Sequence, residues 1–205
     1  YGEVAAHWTI KLLDECAYVQ TGLAKGRRLD SAQLAIRVPY LRVANVQDGY
    51  IDLSEIKYIT IREHELARYG LQVGDVLMTE GGDEDKLGRG HVWYGEIENC
   101  VHQNHVFAVR VEHSILLPEY LSYLGQSAYG KAYFSSVTHR TTNLASINTT
   151  KLKAFPVPIP SISEQKLIVE MLISADMHIA VEEDRKAAMQ DLFKTLLHQL
   201  MTGQI

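Results

Sequence analysis

Long apolar runs are missing from this chain of 205 residues: none approaches the roughly 20 consecutive apolar positions a membrane-crossing helix needs. Its opening, YGEVAAHWTIKLL, lacks the basic head and unbroken apolar body of a secretory signal. Those two absences predict a soluble, cytoplasmic protein. The first residue is Tyr1 rather than Met, which predicts a processed, tagged or trimmed version of something slightly longer. Cysteine is scarce as well. Cys16 and Cys100 lie far apart, with no C-x-x-C and no histidine at metal-ligand spacing, which argues against a structural zinc or a disulfide framework. His102 and His105 form an H-x-x-H in VHQNHVFAV, but that segment reads as a strand whose alternation sets the two on opposite faces. There is no G-x-x-x-x-G-K-[ST], no nucleophile elbow, no Ser-His-Asp pattern in supporting context and no methyl-donor glycine motif. Neither an independent active site nor a bound cofactor or metal is expected.

What remains is ordinary globular composition, 46% hydrophobic and 22% charged, enough for one core and an appendage. The formal net charge of -5 argues against a nucleic-acid binder until its distribution is read. Between Glu119 and Glu164 there is no acidic residue, while Lys131, Arg140, Lys151 and Lys153 supply positive charge and His139 could add to it. A second cluster, Lys25, Arg27, Arg28, Arg37 and Arg42, is opposed only by Asp30. A local field, not the total charge, recruits phosphates. The competing reading is that acids distant in sequence neutralise these residues in space.

From Trp8 to Val111 the pattern is short strands and turns, with PYLRVANV (39–46) and EIKYIT (55–60) alternating about a turn at 47–49 as a hairpin or neighbouring strands. REHELARYG (62–70) reads as a short helix ended by Gly70; GDVLMTEGG (74–82) is a strand broken by a double glycine; HVWYG (91–95) and NHVFAVRV (104–111) continue the sheet. After Pro118, EYLSYLGQSAYGKAYFSS has helical spacing. This is a mixed α/β body. Prolines 156, 158 and 160 then hold FPVPIP extended without backbone donors, so this strand must be an edge or a stiff bridge. Ser161 and Glu164 fit a capping box.

From Ser163 to Met201 there is no proline or glycine, and Gly203 supplies the stop. Ile168, Leu172, Ala175, Ile179, Met189, Phe193, Leu196 and Leu200 recur in a four-three rhythm, the seam of a coiled coil. At about 1.5 Å per residue such a helix reaches on the order of 58 Å, and it needs a partner helix. EEDRK (182–186) interrupts the seam, either fixing register or lying exposed where the partner diverges. The chain thus reads as α+β, with a body over 1–160 and a long helix over 161–205.

Two polar segments invite chemistry. In GGDEDKLGRG (81–90), Asp83, Glu84 and Asp85 beside Lys86 resemble the carboxylates and lysine of a metal-dependent nuclease, although three consecutive acids on a loop more simply make an exposed connection. Lys86 and Arg89 could instead contact DNA. In SSVTHRTTNLASIN (135–148), Arg140 and Asn143 are the types that pair with guanine and adenine edges, while Thr138, Thr141 and Thr142 suit phosphates. A third possibility is an interaction adaptor whose working part is the long helix.

PYLRVANVQDGYIDLSEIKYI (39–59), GDVLMTEGG, QNHVFAVRV (103–111), LKAFPVPIPSISEQKLIVEML (152–172) and the terminal LLHQLMTGQI together resemble the specificity subunits of type I restriction-modification systems. The most specific element is Phe155, Pro158, Pro160, Glu164 and Gln165 before a long helix, with Ser161 standing where that family commonly repeats proline. The resemblance implies a target recognition domain that reads double-stranded DNA and a helix that pairs antiparallel with a second one. It also implies no catalysis by the chain itself, and partnership with methyltransferase (modification) and restriction subunits. A complete subunit has two domains and two helices, whereas this chain resembles half of one. Such a half would pair with itself and read a palindromic gapped site, or be a fragment of a longer chain. The family's target loops vary, so the DNA contacts expected here, Lys25, Arg27, Arg28, Arg42, Lys86, Arg89, Lys131, Thr138, His139, Arg140, Thr141, Thr142 and Asn143, rest on charge and side-chain type alone.

Overall fold

The computed structural model describes residues 4–26, 35–82, 87–140 and 145–204, and the chain divides into two units, Tyr1–Lys166 and Leu167–Ile205. In the first unit, β1 (Thr9–Leu12) and a 3-10 turn lead into β2 (Ala17–Thr21), and β3 (Ala35–Leu41) precedes β4 (Lys57–Arg62). β3 and β4 pair antiparallel, from Ala35 opposite Arg62 to Tyr40 opposite Lys57, so the expected neighbouring strands are present. Yet β3 starts earlier and stops sooner than the alternation over 39–46 predicts. The reason is the buried Asn45, whose Oδ1 accepts from the Arg42 N–H at 2.9 Å and whose amide donates to the carbonyls of Asp52 (2.8 Å) and Glu55 (3.0 Å). A side chain that serves the local backbone this well turns the chain out of the ladder.

Helix α1 (Glu63–Tyr69) ends at Gly70 as expected, and is followed by β5 (Val76–Thr79), β6 (Gly81–Gly82), β7 (Gly90–Val92), β8 (Val101–His102) and β9 (Val106–Val111). β5 lies between β9 and β7, and all four of its residues are buried, as an apolar run covered on both faces requires. The segment around H-x-x-H is two strands rather than one. A turn at Asn104 and His105, closed by the Val106 N–H donating to Gln103 O at 2.9 Å, separates them. His102 is left wholly buried with Nδ1 2.7 Å from Val106 O, while His105 is exposed and bonded to Glu80.

Helices α2 (Pro118–Gln126) and α3 (Ala128–Val137) replace the single helical stretch expected after Pro118. The break falls at Ser127, whose Oγ accepts from the Gly130 N–H at 3.2 Å and so caps α3. β10 (His139–Arg140), β11 (Ala145–Ser146), α4 (Thr149–Lys153) and β12 (Pro156–Ile159) precede the long α5 (Ile162–Thr202). A mixed α/β unit followed by one long helix is the order read from the sequence.

β12 explains its own prolines. Among the described residues it pairs on one side only, with β1, through Val157 opposite Lys11 and Ile159 opposite Thr9. Positions 156 and 158 face the other side, where a proline has no N–H to leave unpaired. Their carbonyls accept instead from the hydroxyls of Tyr129 (2.9 Å) and Tyr120 (3.1 Å). Phe155 is fully buried, with the rings of Tyr133 and Phe134 each 5.0 Å from its own. Such ring pairs add about 0.5–1.5 kcal/mol beyond burial.

The start of α5 is fastened to the same unit. Glu164 Oε2 accepts from the Ser161 N–H (2.9 Å) and hydroxyl (2.7 Å), and the Glu164 N–H donates to Ser161 Oγ (3.3 Å), the reciprocal box expected from spacing. His7 Nε2 lies 3.1 Å from Glu164 Oε1, and the Trp8 indole donates to the same oxygen at 3.4 Å. These bonds, Ser161 first and His7 next, hold the carboxyl down at about 2. Gln165 is wholly buried: the Leu117 N–H donates to its Oε1 (2.9 Å), and its Nε2 donates to Ile115 O (2.8 Å) and Pro160 O (3.0 Å).

Candidate nucleic-acid interface

The two polar segments singled out in the sequence meet in a small sheet. β11 pairs antiparallel with β10 on one side and with β6 on the other, so Gly82, Ala145 and Arg140 stand abreast in one row. Stretch 135–148 is therefore no simple loop: Ser135–Val137 complete α3, and the chain then enters a hairpin. Ile147, buried beneath it, donates its N–H to Glu80 O at 2.8 Å and ties this sheet to the end of β5. Thr138, expected on phosphate, turns its hydroxyl back to Phe134 O at the end of α3. His139 and Arg140 form β10, whereas Thr141, Thr142, Asn143 and Lys86 lie outside the described residues, as do Arg27 and Arg28.

Close packing accounts for Gly88 and Gly90. Gly88 adopts φ +63°, and a Cβ there would sit 2.3 Å from Phe134 Cδ2; one on Gly90 would sit 1.9 Å from Leu77 O. Leu87 between the polar residues is buried. These glycines admit a ring and a neighbouring strand. Asp83, Glu84 and Asp85 fall outside the described residues, and among the described residues no three His, Cys, Asp or Glu gather as a metal site, so the nuclease alternative gains no support. Burial pushes the Cys16 and Cys100 thiols up to about 11 and about 12, leaving both protonated near neutral pH.

The fold brings acids to several of the expected contacts. Lys131, in the stretch without acids, meets Asp48 at 2.6 Å across 83 residues of sequence. Arg42 Nη2 lies 3.2 Å from Glu55 Oε2, and Lys57 bonds the same carboxylate, so Lys57 and then Arg42 lower its pKa. Arg89 donates to Gln47 Oε1 (3.0 Å) and Val43 O (3.4 Å), clamping the turn that follows β3. Lys25 and Lys151 are exposed. Sequence reasoning missed the ion pair of Arg110 with the buried Asp75, two contacts of 2.8 Å that join β9 to the residue before β5. No local pattern signals a pair 35 positions apart.

The second unit is helical through Thr202. Of the seam residues, Leu172 and Leu196 are 38% and 42% exposed and Ile179, Met189, Phe193 and Leu200 more than half, with Ala175 exposed and Ile168 partly so. Met171, Leu192 and Leu197 widen the stripe beyond the a/d positions.

The chain matches the family model described as "Type I restriction modification DNA specificity domain" over residues 23–190. It is 27% identical over 203 residues to a protein assigned as the type I restriction enzyme MjaX specificity subunit of Methanocaldococcus jannaschii, covering 98% of this chain and 47% of that one. It is 24% identical over 196 residues to the type I restriction enzyme EcoKI specificity subunit of Escherichia coli, covering 91% and 41%. The chain thus spans less than half the length of these relatives. In fold it resembles a chain from a structure of the assembly and conformational transition of the type I R-M system (TM-score 0.63, 18% identity, 95% of this chain and 45% of that one). It also resembles the HsdS subunit of Thermoanaerobacter tengcongensis (TM-score 0.54, 18% identity, 88% and 40%).

Proposed function

We propose a function from one premise: the chain belongs to the family of type I restriction modification DNA specificity domains. In this reading residues 1–160 are a target recognition domain for double-stranded DNA and 161–205 are the pairing and spacing helix. The chain directs methyltransferase and restriction subunits to a bipartite site in cytoplasmic DNA and does not itself cut or methylate. The observation that carries the reading is the row Gly82, Ala145, Arg140, which joins in one sheet two segments whose side-chain types suit bases and phosphates. His139 and Arg140 belong to that sheet, and Lys86, Thr141, Thr142 and Asn143 follow it in sequence. Lys25 offers a phosphate contact, joined in sequence by Arg27 and Arg28; Arg42, Lys131 and Arg89 chiefly brace the fold, and Thr138 closes α3.

The exposed seam supports self-association of two half subunits through α5, and its widened stripe supports a further docking surface for methyltransferase subunits. The test is to co-express the chain with a methyltransferase subunit from its own genome and map methylated adenines across the host DNA. A palindromic gapped motif is expected. An asymmetric motif replaces self-pairing with a second, different recognition domain, and absence of new methylation despite a confirmed complex overturns the reading.

A further inference from the structure

We propose that the solvent face of the β3–β4 pair is a second contact surface for duplex DNA, on which Arg37, lying over the Tyr58 ring, takes a backbone phosphate. The proposal rests on the DNA-recognition reading above. Alternation along these strands separates two faces. Val38, Tyr40 and Ile61 are buried in the core, whereas Ala35, Arg37, Tyr58 and Thr60 are exposed. Across the ladder Arg37 stands opposite Thr60 and Pro39 opposite Tyr58, and the Arg37 guanidinium carbon sits 4.8 Å from the centre of the Tyr58 ring.

A ring face orients a guanidinium without consuming its N–H donors, so the fork stays available to an anion. No carboxylate among the described residues pairs with Arg37, and neither strand contains an acid. That separates Arg37 from Arg42, Arg89, Arg110 and Lys131, whose heads the fold already engages. The hydroxyls of Tyr58 and Thr60 add neutral donors beside the cation, a set that suits phosphate oxygens. A guanidinium flat on a ring stays close to the sheet, where it meets a backbone passing over it rather than base edges at the floor of a groove.

The test titrates the full chain and its Arg37→Ala, Arg37→Lys and Tyr58→Ala variants, each shown to melt like the wild type, against a fluorescent mixed-sequence duplex at several salt concentrations. Arg37→Ala is expected to weaken binding on the order of three- to tenfold and to reduce the slope of log affinity against log salt by about one. Tyr58→Ala should fall between Arg37→Ala and the wild type, and Arg37→Lys should recover the slope but not the full affinity. Unchanged affinity and slope in Arg37→Ala, beside a wild type that binds, overturn this proposal alone. A wild type with no salt-dependent binding overturns the DNA reading and this proposal with it. Loss of polyglutamate binding in Arg37→Ala with duplex binding intact assigns the face to an acidic protein and overturns the proposal.

Discussion

The first turn of α5 has its polar groups answered from within the chain: Ser161, His7 and Trp8 serve Glu164, and Gln165 makes three hydrogen bonds without any exposure. Farther along the same helix, Ile179, Met189, Phe193 and Leu200 stand more than half exposed. The two stretches draw stability from different sources. The start of the helix is part of one chain's fold, whereas an apolar stripe in water gains roughly 25 cal/mol per Å² only when another surface covers it.

The sharpest way to break this contrast is to charge the seam. On the self-pairing proposed above, Ile179→Asp with Leu196→Asp is expected to reduce the mass measured by light scattering from two chains to one, with the first unit still folded. A variant that keeps the wild-type mass places the pairing surface elsewhere. The opposite change belongs at the start of the helix. Gln165→Ala leaves the Leu117 N–H and the carbonyls of Ile115 and Pro160 without their partner, at a cost of about 1–3 kcal/mol in chemical denaturation. Its mass in solution should not change. If Gln165→Ala dissociated the assembly while the seam variant did not, the assignment of the two stretches would be reversed.

How much of this was legible in the sequence follows the same division between local and distant. FPVPIP, the Ser161–Glu164 box and the unbroken helix depend on neighbours a few positions apart, and each was readable. The missed features depend on distant partners. Lys131 lies where no acid is near it in sequence, and only the fold brings Asp48 to it; 81–90 read as an exposed connection, whereas Gly88 and Gly90 pack against Phe134 and Leu77. The row Gly82, Ala145, Arg140 joins residues more than 50 positions apart. Asn45 shows a third case, in which a polar side chain outbid the strand alternation around it.

The smallest expected effect concerns the charge on Glu164. Its carboxyl titrates at about 2 in the folded chain, below the ordinary 4.5, chiefly because Ser161 and then His7 bond the ionised form. A depressed folded pKa means that the contribution is fully present above about 4.5 and is lost as pH falls from there toward about 2. Glu164→Gln keeps an oxygen for the Ser161 N–H but removes the titration. Thermal melts of the two proteins should therefore differ most near neutral pH and converge as the solution is acidified through that window. A difference that stays constant down to about pH 2 would mean that the shape of the side chain at position 164, not its charge, secures the first turn of α5 beside Gln165.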